Sequence, residues 1–283
     1  MNTYLSKFED LIELRDLTRN TARNYSSFLK QYLKWIDSNL SKKPEEVSFE
    51  EIRTYLLYLK NIKKLSNRSI NAHISQLRFF HLFVLNKSWC KYQIPFMKIT
   101  TYLPTILTQK EVCHFIDSMT NLKHKTYVAL LYSAGLRVSE LRHLRYEDVD
   151  RKSMRLYIRN TKSRSDRYAI LSENALQILT AYWYAFDRPK EWLFPGRNPV
   201  KPIASFTINK VVKNHASSLD FPPNITPHTF RHAFGTHLYE QGTDLLMIQK
   251  LLGHKSINST TIYVHLSNTK ELNIVSPFDK GGL

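Results

Sequence analysis

The sequence predicts a mainly α-helical protein of two domains, with one small β-hairpin in the second domain. Apolar residues recur at the spacing of a helix face along most of the chain. The period changes to two between Met154 and Ile158, and this alternation resumes from Tyr168 onward. A length of 283 residues also favours about two domains. We therefore expect a helical domain over residues 1–98 and an α+β domain over residues 104–283.

Four helices are expected in the first domain, and three of them begin after a residue that can cap a helix. The second helix follows Thr18, and the fourth follows Ser66. The third begins at a capping box formed by Ser48 and Glu51. The stretch over residues 96–103 is flanked by prolines and lacks periodicity, so we place the domain boundary there. The first helix is recognised by its apolar residues Leu5, Phe8, Leu11, Ile12 and Leu14.

The charge balance points to a nucleic-acid partner. The chain carries 41 lysines and arginines against 24 acidic residues, a formal net charge of +17. Such a protein most often binds nucleic acid, although a membrane surface or simple solubility would also fit. Basic side chains of the first domain are candidate DNA contacts, because each phosphate contact releases condensed counterions. An ordinary solvated surface is the alternative. The candidates are Arg19, Arg23, Lys64, Arg68 and Arg78.

Other features argue against several classes of protein. Only Cys90 and Cys113 are present, which gives neither a disulfide framework nor a cysteine-rich zinc site and suggests a reducing cytoplasm. The charged amino terminus lacks a signal-peptide core, and no stretch approaches 18 apolar residues, so no membrane span is expected. The seven glycines form no phosphate-binding loop, dinucleotide fingerprint or serine-hydrolase elbow. We therefore expect no cofactor.

The second domain begins with helices that lead to a candidate arginine. A capping box, Thr108 with Glu111, opens the first of them, and an apolar helix then ends at Gly135. A short helix starts near Arg137, whose apolar neighbours predict a guanidinium group at the rim of a core. An ordinary surface arginine is the alternative. Glu140 could orient Arg137 by a hydrogen bond, or the two could form an exposed ion pair.

The predicted hairpin carries Lys162 and Arg164 at its tip. A basic residue at such a tip can reach into a groove, so Arg164 is a further candidate DNA contact, although many such residues only keep a sheet edge soluble. Helices return over Ser172–Phe186 and Ala204–Leu219, separated by a connection rich in proline and glycine.

A candidate site follows between residues 226 and 265. Pro227 can occupy the first position of a helix that runs from about His228 to Glu240. His228 and Arg231 share one face of it, while another face presents apolar residues to a core. A zinc motif is not favoured, because Thr229 replaces the glutamate that such a motif requires beside paired histidines. The apolar residues are Phe230, Phe234 and Leu238.

The chain then turns twice before it reaches a tyrosine. Gly242 ends the helix, Asp244 can cap another, and Gly253 closes that one at a left-handed position. His254 follows directly, and Tyr263 lies nine residues further on. Two histidines, an arginine and a tyrosine held by helices suggest a site for an anionic group.

These residues stand in motifs that resemble a known family. GLRVSEL, the hairpin lysine, HTFRHAFGTHL, LLGH and TTIYVHL occur in this order between residues 135 and 266. The chain resembles the phage-integrase and Xer branch of the tyrosine recombinases. The resemblance implies a four-helix, SAM-like core-binding domain that grips DNA, followed by an α+β catalytic domain. Together the two domains would close like a clamp around duplex DNA.

The resemblance also implies a role for each matched residue. Tyr263 would attack a phosphodiester to leave a 3′-phosphotyrosyl link, while Arg137 and Arg231 hold the non-bridging oxygens. Two guanidinium groups suit the charge of a pentacoordinate phosphorane, so no metal is required. The bond energy is kept in the phosphotyrosine, so rejoining needs no ATP. The remaining implied residues are Lys162, which protonates the leaving 5′-oxygen; His228, which helps to take the tyrosine proton; and His254, which hydrogen-bonds the phosphate.

Two departures from the family pattern bear on the hairpin. The turn around Lys162 lacks the glycines that many relatives have, and Ile170 stands where a proline is common in them. Arg164 is therefore a rival for the role of general acid.

The resemblance implies an assembly as well. Double-stranded DNA with paired inverted sites would bind a homotetramer across two DNA sites, with exchange of the tail over 267–283 between protomers, at the nucleoid of a prokaryote. The alternatives are a catalytically silent architectural protein on the same fold and a strand-relaxing enzyme like a type IB topoisomerase. The sequence leaves open whether the role is integration, transposition, cassette exchange or chromosome-dimer resolution.

Overall fold

The computed structural model describes residues 2–100, 103–159 and 166–267. The chain divides into two compact units, Met1–Tyr102 and Leu103–Leu283. In the parts that are described, no helix is both long and apolar enough to cross a lipid bilayer.

The first unit contains the four expected helices. The side-chain oxygens of Thr18, Ser48 and Ser66 each accept a backbone N–H in the first turn of the helix that follows, so the predicted caps are confirmed. The helices are α1 (Asn2–Leu14), α2 (Arg19–Asn39), α3 (Phe49–Asn61) and α4 (Asn67–Phe83).

Aromatic residues fill the core of this unit. Phe8 of α1, Tyr32 of α2, Tyr55 of α3 and Phe80 of α4 are all fully buried. Four of the five candidate DNA contacts are exposed, whereas the side chain of Arg19 lies outside the described residues. The exposed four are Arg23, Lys64, Arg68 and Arg78.

The second unit combines eight helices with one sheet among its described residues. The capping box of Thr108 and Glu111 is present, and the helices predicted near Arg137, after Ser172 and after Ala204 are confirmed. The helices are α5 (Gln109–Asp117), α6 (Leu122–Ser133), α7 (Val138–Arg142), α8 (Glu173–Ala185), α9 (Ser205–Ser218), α10 (Pro227–Glu240), α11 (Leu245–Leu252) and α12 (Ile262–Leu266).

The sheet has one strand more than the predicted hairpin. Strands β1 (Val149–Asp150), β2 (Arg155–Ile158) and β3 (Arg167–Ile170) pair antiparallel in the order β1-β2-β3. Leu156 of β2 lies opposite Ala169 of β3, and both face the core. The hairpin tip, with Lys162 and Arg164, lies outside the described residues.

Strand β3 presents its larger apolar residues to solvent. Tyr168 and Ile170 are exposed, whereas Ala169 and Leu171 are buried. Alternation alone does not say which face is buried, and here the face with Ala169 is the one that packs on the core.

Helix α6 lies at the centre of the second unit. It packs against α8 on one side and α10 on the other, and its residues Val128, Leu130 and Leu131 are fully buried. Phe230 of α10 and Phe115 of α5 complete this core. As a result, α10 is held rigidly between α6 and the carboxyl-terminal helices, which is where the candidate residues lie.

Candidate active site

Four elements of the second unit bring candidate residues together. Arg137 caps the start of α7, directly after the turn at Gly135, where φ is +58°. Arg231 lies in the second turn of α10, His254 follows the end of α11, and Tyr263 lies on α12. Side chains that are up to 126 positions apart in the sequence therefore serve one site.

Arg231 is buried rather than placed on a polar helix face. It is 3% exposed, so the expected separation of a chemical face from a packing face of α10 is incomplete. Its Nη1 donates to the carbonyl oxygen of Gly135 at 2.5 Å, and its Nη2 donates to that of Leu252 at 2.6 Å. Burial, then the charge of Arg137, lowers the pKa of Arg231 to about 10, so the group stays cationic at neutral pH.

Glu140 is the centre of a cluster of three arginines. Its carboxylate accepts from Arg137 Nη1 at 2.7 Å and from the Arg137 backbone N–H at 2.8 Å. Arg167 of β3 donates its Nη2 to the same carboxylate at 2.8 Å, and Arg231 Nη1 lies 3.5 Å from it. Glu140 is buried, so it is not half of an exposed helix pair.

Burial alone would raise the pKa of Glu140, but the charge of Arg167, the N–H of Arg137 and the other two guanidinium groups hold it below its usual range. The carboxylate is therefore ionised. One negative charge balances only one of three arginines, and the excess positive charge favours an anionic ligand at this place.

His254 is held between Thr260 and Tyr263. Its Nδ1 lies 2.9 Å from Thr260 Oγ1, and its ring is parallel to that of Tyr263 within 14°, with centroids 6.2 Å apart. Burial and the charges of Arg231 and Arg137 lower the pKa of His254 to about 3, so the ring is neutral. When the Thr260 hydroxyl donates to Nδ1, the ring proton is on Nε2 and remains free to donate to a ligand.

Tyr263 is buried against α10. It is 1% exposed, and its ring covers Gly235, where an added Cβ would lie 2.5 Å from Tyr263 Cζ. Burial raises the pKa of Tyr263 to about 12, while the charges of Arg231 and Arg137 oppose that rise. The phenol is therefore within electrostatic reach of both guanidinium groups.

Two histidines of α10 lie within electrostatic reach of Arg231. His228 is exposed in the first turn, and partial desolvation with the charges of Arg231 and Arg137 lowers its pKa. The ring of His232 lies 6.1 Å from that of Tyr263, and burial lowers its pKa to about 4. Within the described residues, no group of three or more histidine, cysteine or acidic side chains is arranged to hold a metal ion.

Two family descriptions match this chain. A sequence model described as "Phage integrase family" matches residues 105–270, which is more than half of the chain. The chain belongs to the phage integrase family. A second model, "Phage integrase, N-terminal SAM-like domain", matches residues 4–91 of this recombinase. The predicted family and fold class are thus confirmed.

Curated relatives carry names that agree with this assignment. The recombinase is 36% identical over 281 residues to the putative integrase/recombinase y4qK of Sinorhizobium fredii, a match that covers 99% of this chain and 89% of that protein. It is 33% identical to the tyrosine recombinase XerA of Pyrococcus horikoshii, with 95% and 90% covered. The chain is accordingly a site-specific DNA recombinase, an enzyme that cleaves and religates DNA.

Solved structures share the fold. The recombinase matches a crystal structure of XerA recombinase with a TM-score of 0.55 at 27% identity, covering 95% of this chain and 96% of that one. A lambda integrase dimer bound to a COC′ core site matches with a TM-score of 0.75 at 20% identity, covering 98% and 99%. The second likeness bears on the fold alone.

Sequence reasoning about this recombinase missed several site residues. Arg167, Thr260, Gly235 and His232 all contact candidate residues, yet none was predicted as part of the site. A signal was present for Arg167, because it alternates in phase with the inward-facing Ala169. An arginine on the buried face of a strand requires a partner such as a carboxylate.

Proposed function

We propose that Tyr263 is the nucleophile of this recombinase. Its phenolic oxygen attacks a DNA phosphorus, the bond from phosphorus to the 5′-oxygen breaks, and a 3′-phosphotyrosyl link with a free 5′-hydroxyl results. In rejoining, a 5′-hydroxyl attacks the same phosphorus and the tyrosine leaves. The observation that carries this proposal is the burial of one phenol within reach of two guanidinium groups, which oppose the rise of its pKa.

In this reaction Arg137 and Arg231 hold the non-bridging phosphate oxygens. Arg137 is only partly buried, with a side chain that is 28% exposed, so its guanidinium group is open to a ligand. Arg231 is fixed by two carbonyl oxygens and needs no rearrangement to present its charge. Preorganised cations of this kind stabilise the extra negative charge of the pentacoordinate state, and His254 Nε2 adds a neutral donor. With this fixed positive charge the reaction needs no metal, and because the phosphotyrosyl bond conserves the energy of the broken bond, rejoining needs no ATP.

Two protons must move during cleavage. His228 takes the proton of Tyr263, because a phenol with a raised pKa is scarcely ionised at neutral pH without a base. The leaving 5′-oxygen takes a proton from Lys162, with Arg164 as the rival donor. Both hairpin residues lie outside the described part of the chain, so these roles rest on the resemblance.

The substrate is duplex DNA, in agreement with the net charge of +17 and with solved relatives that are described as DNA complexes. Residues 1–98 form the core-binding domain and residues 104–283 the catalytic domain. Arg23, Lys64, Arg68 and Arg78 are exposed and available to phosphates. Arg19 is proposed on its position in the sequence alone. The enzyme would act in the cytoplasm, where its DNA lies.

The active assembly is a homotetramer on two DNA sites with inverted half-sites, joined by exchange of the tail over 267–283. The tail sequence includes the apolar stretch LNIVSPF, which a partner groove could bury. A groove of about 850 Å³ lies between β3 and α11, lined in part by exposed apolar residues, and we assign it as the acceptor. Those residues are Tyr168, Ile170, Leu246 and Met247.

Deletion of 267–283 should weaken synapsis measured by light scattering, and unchanged assembly would contradict the role of the tail.

The nucleophile is tested with DNA that flanks the gene of this recombinase. Nicked suicide duplexes from that region should accumulate covalent adducts, whose junctions are then sequenced. Tyr263→Phe should form no adduct, whereas Tyr184→Phe, at an exposed tyrosine outside the site, should form it at the normal rate. Adducts of Tyr263→Phe would show that the nucleophile is another residue.

The same assays distinguish the two alternative functions. A silent DNA-binding protein would give no adduct at all, and a strand-relaxing enzyme would relax supercoiled plasmid without a second site.

A further inference from the structure

Arg167 joins three parts of the site, although it belongs to none of the motifs. It lies at the start of β3, and its Nη2 donates to Glu140 of α7 at 2.8 Å. Its Nη1 donates to the carbonyl oxygen of Leu251 in the last turn of α11. The sheet is therefore tied through one guanidinium group to both helices that present candidate residues.

Arg167 is less exposed than Arg137. Its side chain is 11% exposed, compared with 28% for Arg137, and both terminal nitrogens already donate to protein oxygens. Its aliphatic and Nε atoms lie against Gly253, where an added Cβ would be 2.7 Å from Arg167 Cδ. These contacts let Arg167 order protein groups, and the salt dependence of DNA binding tests whether it also contacts a phosphate.

Three arginines donate hydrogen bonds to carbonyl oxygens at the end of α11. The carbonyl oxygens of its last residues and of the glycine that follows are acceptors that no intrahelical N–H satisfies. Leu251 receives Arg167, Leu252 receives Arg231, and Gly253 receives Arg137 Nη2 at 3.2 Å. Cations at a helix carboxyl terminus also interact favourably with the helix dipole. The position of His254, the next residue, is set by this triple attachment.

We propose that Arg167 is a positioning residue of the strand-transfer reaction: through Glu140, Leu251 and Gly253 it fixes Arg137 and His254 where the phosphate needs them. Removal of its side chain leaves Glu140 with two arginines and leaves the end of α11 with two of three attachments. Arg137 and His254 then lose a common support, while the surface that binds DNA is unchanged. This inference rests on the proposed roles of Arg137 and His254.

The test compares Arg167→Met and Arg167→Lys with the wild type on the suicide duplex described above. We expect single-turnover cleavage by Arg167→Met to be slower by about 10- to 100-fold, since a displacement of about 1 Å costs about 100-fold. The Kd for the same duplex should stay within about 2-fold, and its salt dependence should not change. A direct phosphate contact would instead lower the salt slope by about 1. Arg167→Lys keeps the charge but reaches only one acceptor at a time, so its rate should be intermediate.

Arg151→Met is the matched control, because it removes an exposed arginine from the turn that precedes β2. It should cleave at the wild-type rate. A further comparison uses Glu140→Gln, alone and combined with Arg167→Met. If the two residues act together, the double variant should be no slower than the slower single variant.

Each outcome decides the role of Arg167. The proposal would be overturned if Arg167→Met cleaved at the wild-type rate. It would also be overturned if the fold-reduction in rate of the double variant equalled the product of the two single reductions. A weaker Kd with a reduced salt slope would also overturn it and would indicate a DNA contact. If both Arg167 variants are unfolded by circular dichroism, the residue serves folding and the proposal fails. A wild type that forms no adduct overturns the proposed function itself, whereas an active wild type with an unaffected Arg167→Met overturns only this inference.

Discussion

Tyr263 is subject to two opposing effects. Burial disfavours its phenolate, and the charges of Arg231 and Arg137 favour it, with a net rise of the pKa to about 12. At pH 7 only about one phenol in 10⁵ would be ionised at that pKa. In the proposed mechanism, attack by Tyr263 at neutral pH therefore depends on a base that removes the proton as the bond to phosphorus forms.

The pH dependence of cleavage should identify this base. The pKa of His228 is lowered below its usual value of 6.5, so the wild-type rate should rise with pH below that value and then become level. Replacement of the base should leave only the ionised phenol as nucleophile. His228→Ala should be slower by about 100- to 1000-fold at pH 7, and its rate should rise about tenfold per pH unit up to pH 9. Single-turnover cleavage between pH 5.5 and 9 measures this, and a level profile for His228→Ala would exclude the assigned role.

Gly235 should be needed for normal cleavage, because the ring of Tyr263 lies directly over it. A Cβ at this position would lie 2.5 Å from Tyr263 Cζ, well inside van der Waals contact, so the ring must move. Gly235→Ala should therefore slow cleavage by at least about 10-fold, since a misplacement of about 1 Å costs about 100-fold. Alanine favours a helix over glycine by about 0.5–1 kcal/mol, and this gain offsets part of the cost of moving the ring. The thermal midpoint should therefore change little.

Two controls accompany Gly235→Ala. The Kd for duplex DNA and the thermal midpoint should both match the wild type, which separates displacement of the ring from loss of the fold. Normal cleavage by a normally folded Gly235→Ala would mean that the position of the phenol in this structure is not the reactive one.

At the scale of elements, α4 carries two buried histidines that no catalytic role explains. His73 packs edge-on against Phe28 with ring centroids 4.0 Å apart, and His81 packs against Trp89 at 5.2 Å. The Nε2 atoms of both are buried without a hydrogen-bond partner among the described residues. Burial lowers the pKa of each ring to about 4.

These histidines should make the first unit sensitive to acid. A depressed pKa means that the folded state favours the neutral ring, so this contribution is complete above pH 6.5 and is lost as the pH falls toward 4. At pH 5 each ring should lower the free energy of unfolding by about 2 kcal/mol relative to pH 7. Urea unfolding of His73→Leu at both pH values should show a loss on acidification that is smaller by about that amount. His265→Gln, at an exposed ring, should lose as much as the wild type; an equal loss in His73→Leu would contradict this account.

The helices were predictable because their signals are local. Ser48 with Glu51 and Thr108 with Glu111 fix helix starts within four residues, and Gly253 has the left-handed φ of +63° that its position after α11 predicts. Strand β1 was not predicted, since it has two residues and depends on its pairing with β2. The sequence also could not predict which face of β3 is exposed, because that depends on which neighbours cover the sheet.

At the scale of the whole molecule, charge is expected to dominate DNA affinity. A net charge of +17 with exposed arginines on the first unit predicts a steep dependence of Kd on salt. Arg68→Gln combined with Arg78→Gln should lower the slope of log Kd against log salt by about 2, since each phosphate contact contributes about 0.9. Lys42→Gln is the matched control, because Glu51 already balances that charge at 2.6 Å. Equal slopes for the double variant and the control would remove both arginines from the DNA interface.

Only part of the site could be predicted from the sequence motifs. The motifs around Arg137, Arg231, His254 and Tyr263 were sufficient to identify the family, and membership of that family implies DNA cleavage and religation. The environment of these groups could not be inferred in the same way. Three guanidinium groups around Glu140, and three around the end of α11, arise from contacts between residues up to 116 positions apart.

In the proposed reaction one buried phenol, activated by surrounding cations, forms the covalent bond to DNA. The most direct measurement is digestion of the trapped adduct with protease and nuclease, followed by mass spectrometry of the peptide that retains a nucleotide. We predict a single modified peptide, with a 3′-linked nucleotide on Tyr263 and none on the other 15 tyrosines. A nucleotide on any other residue, or a 5′ linkage, would contradict the account.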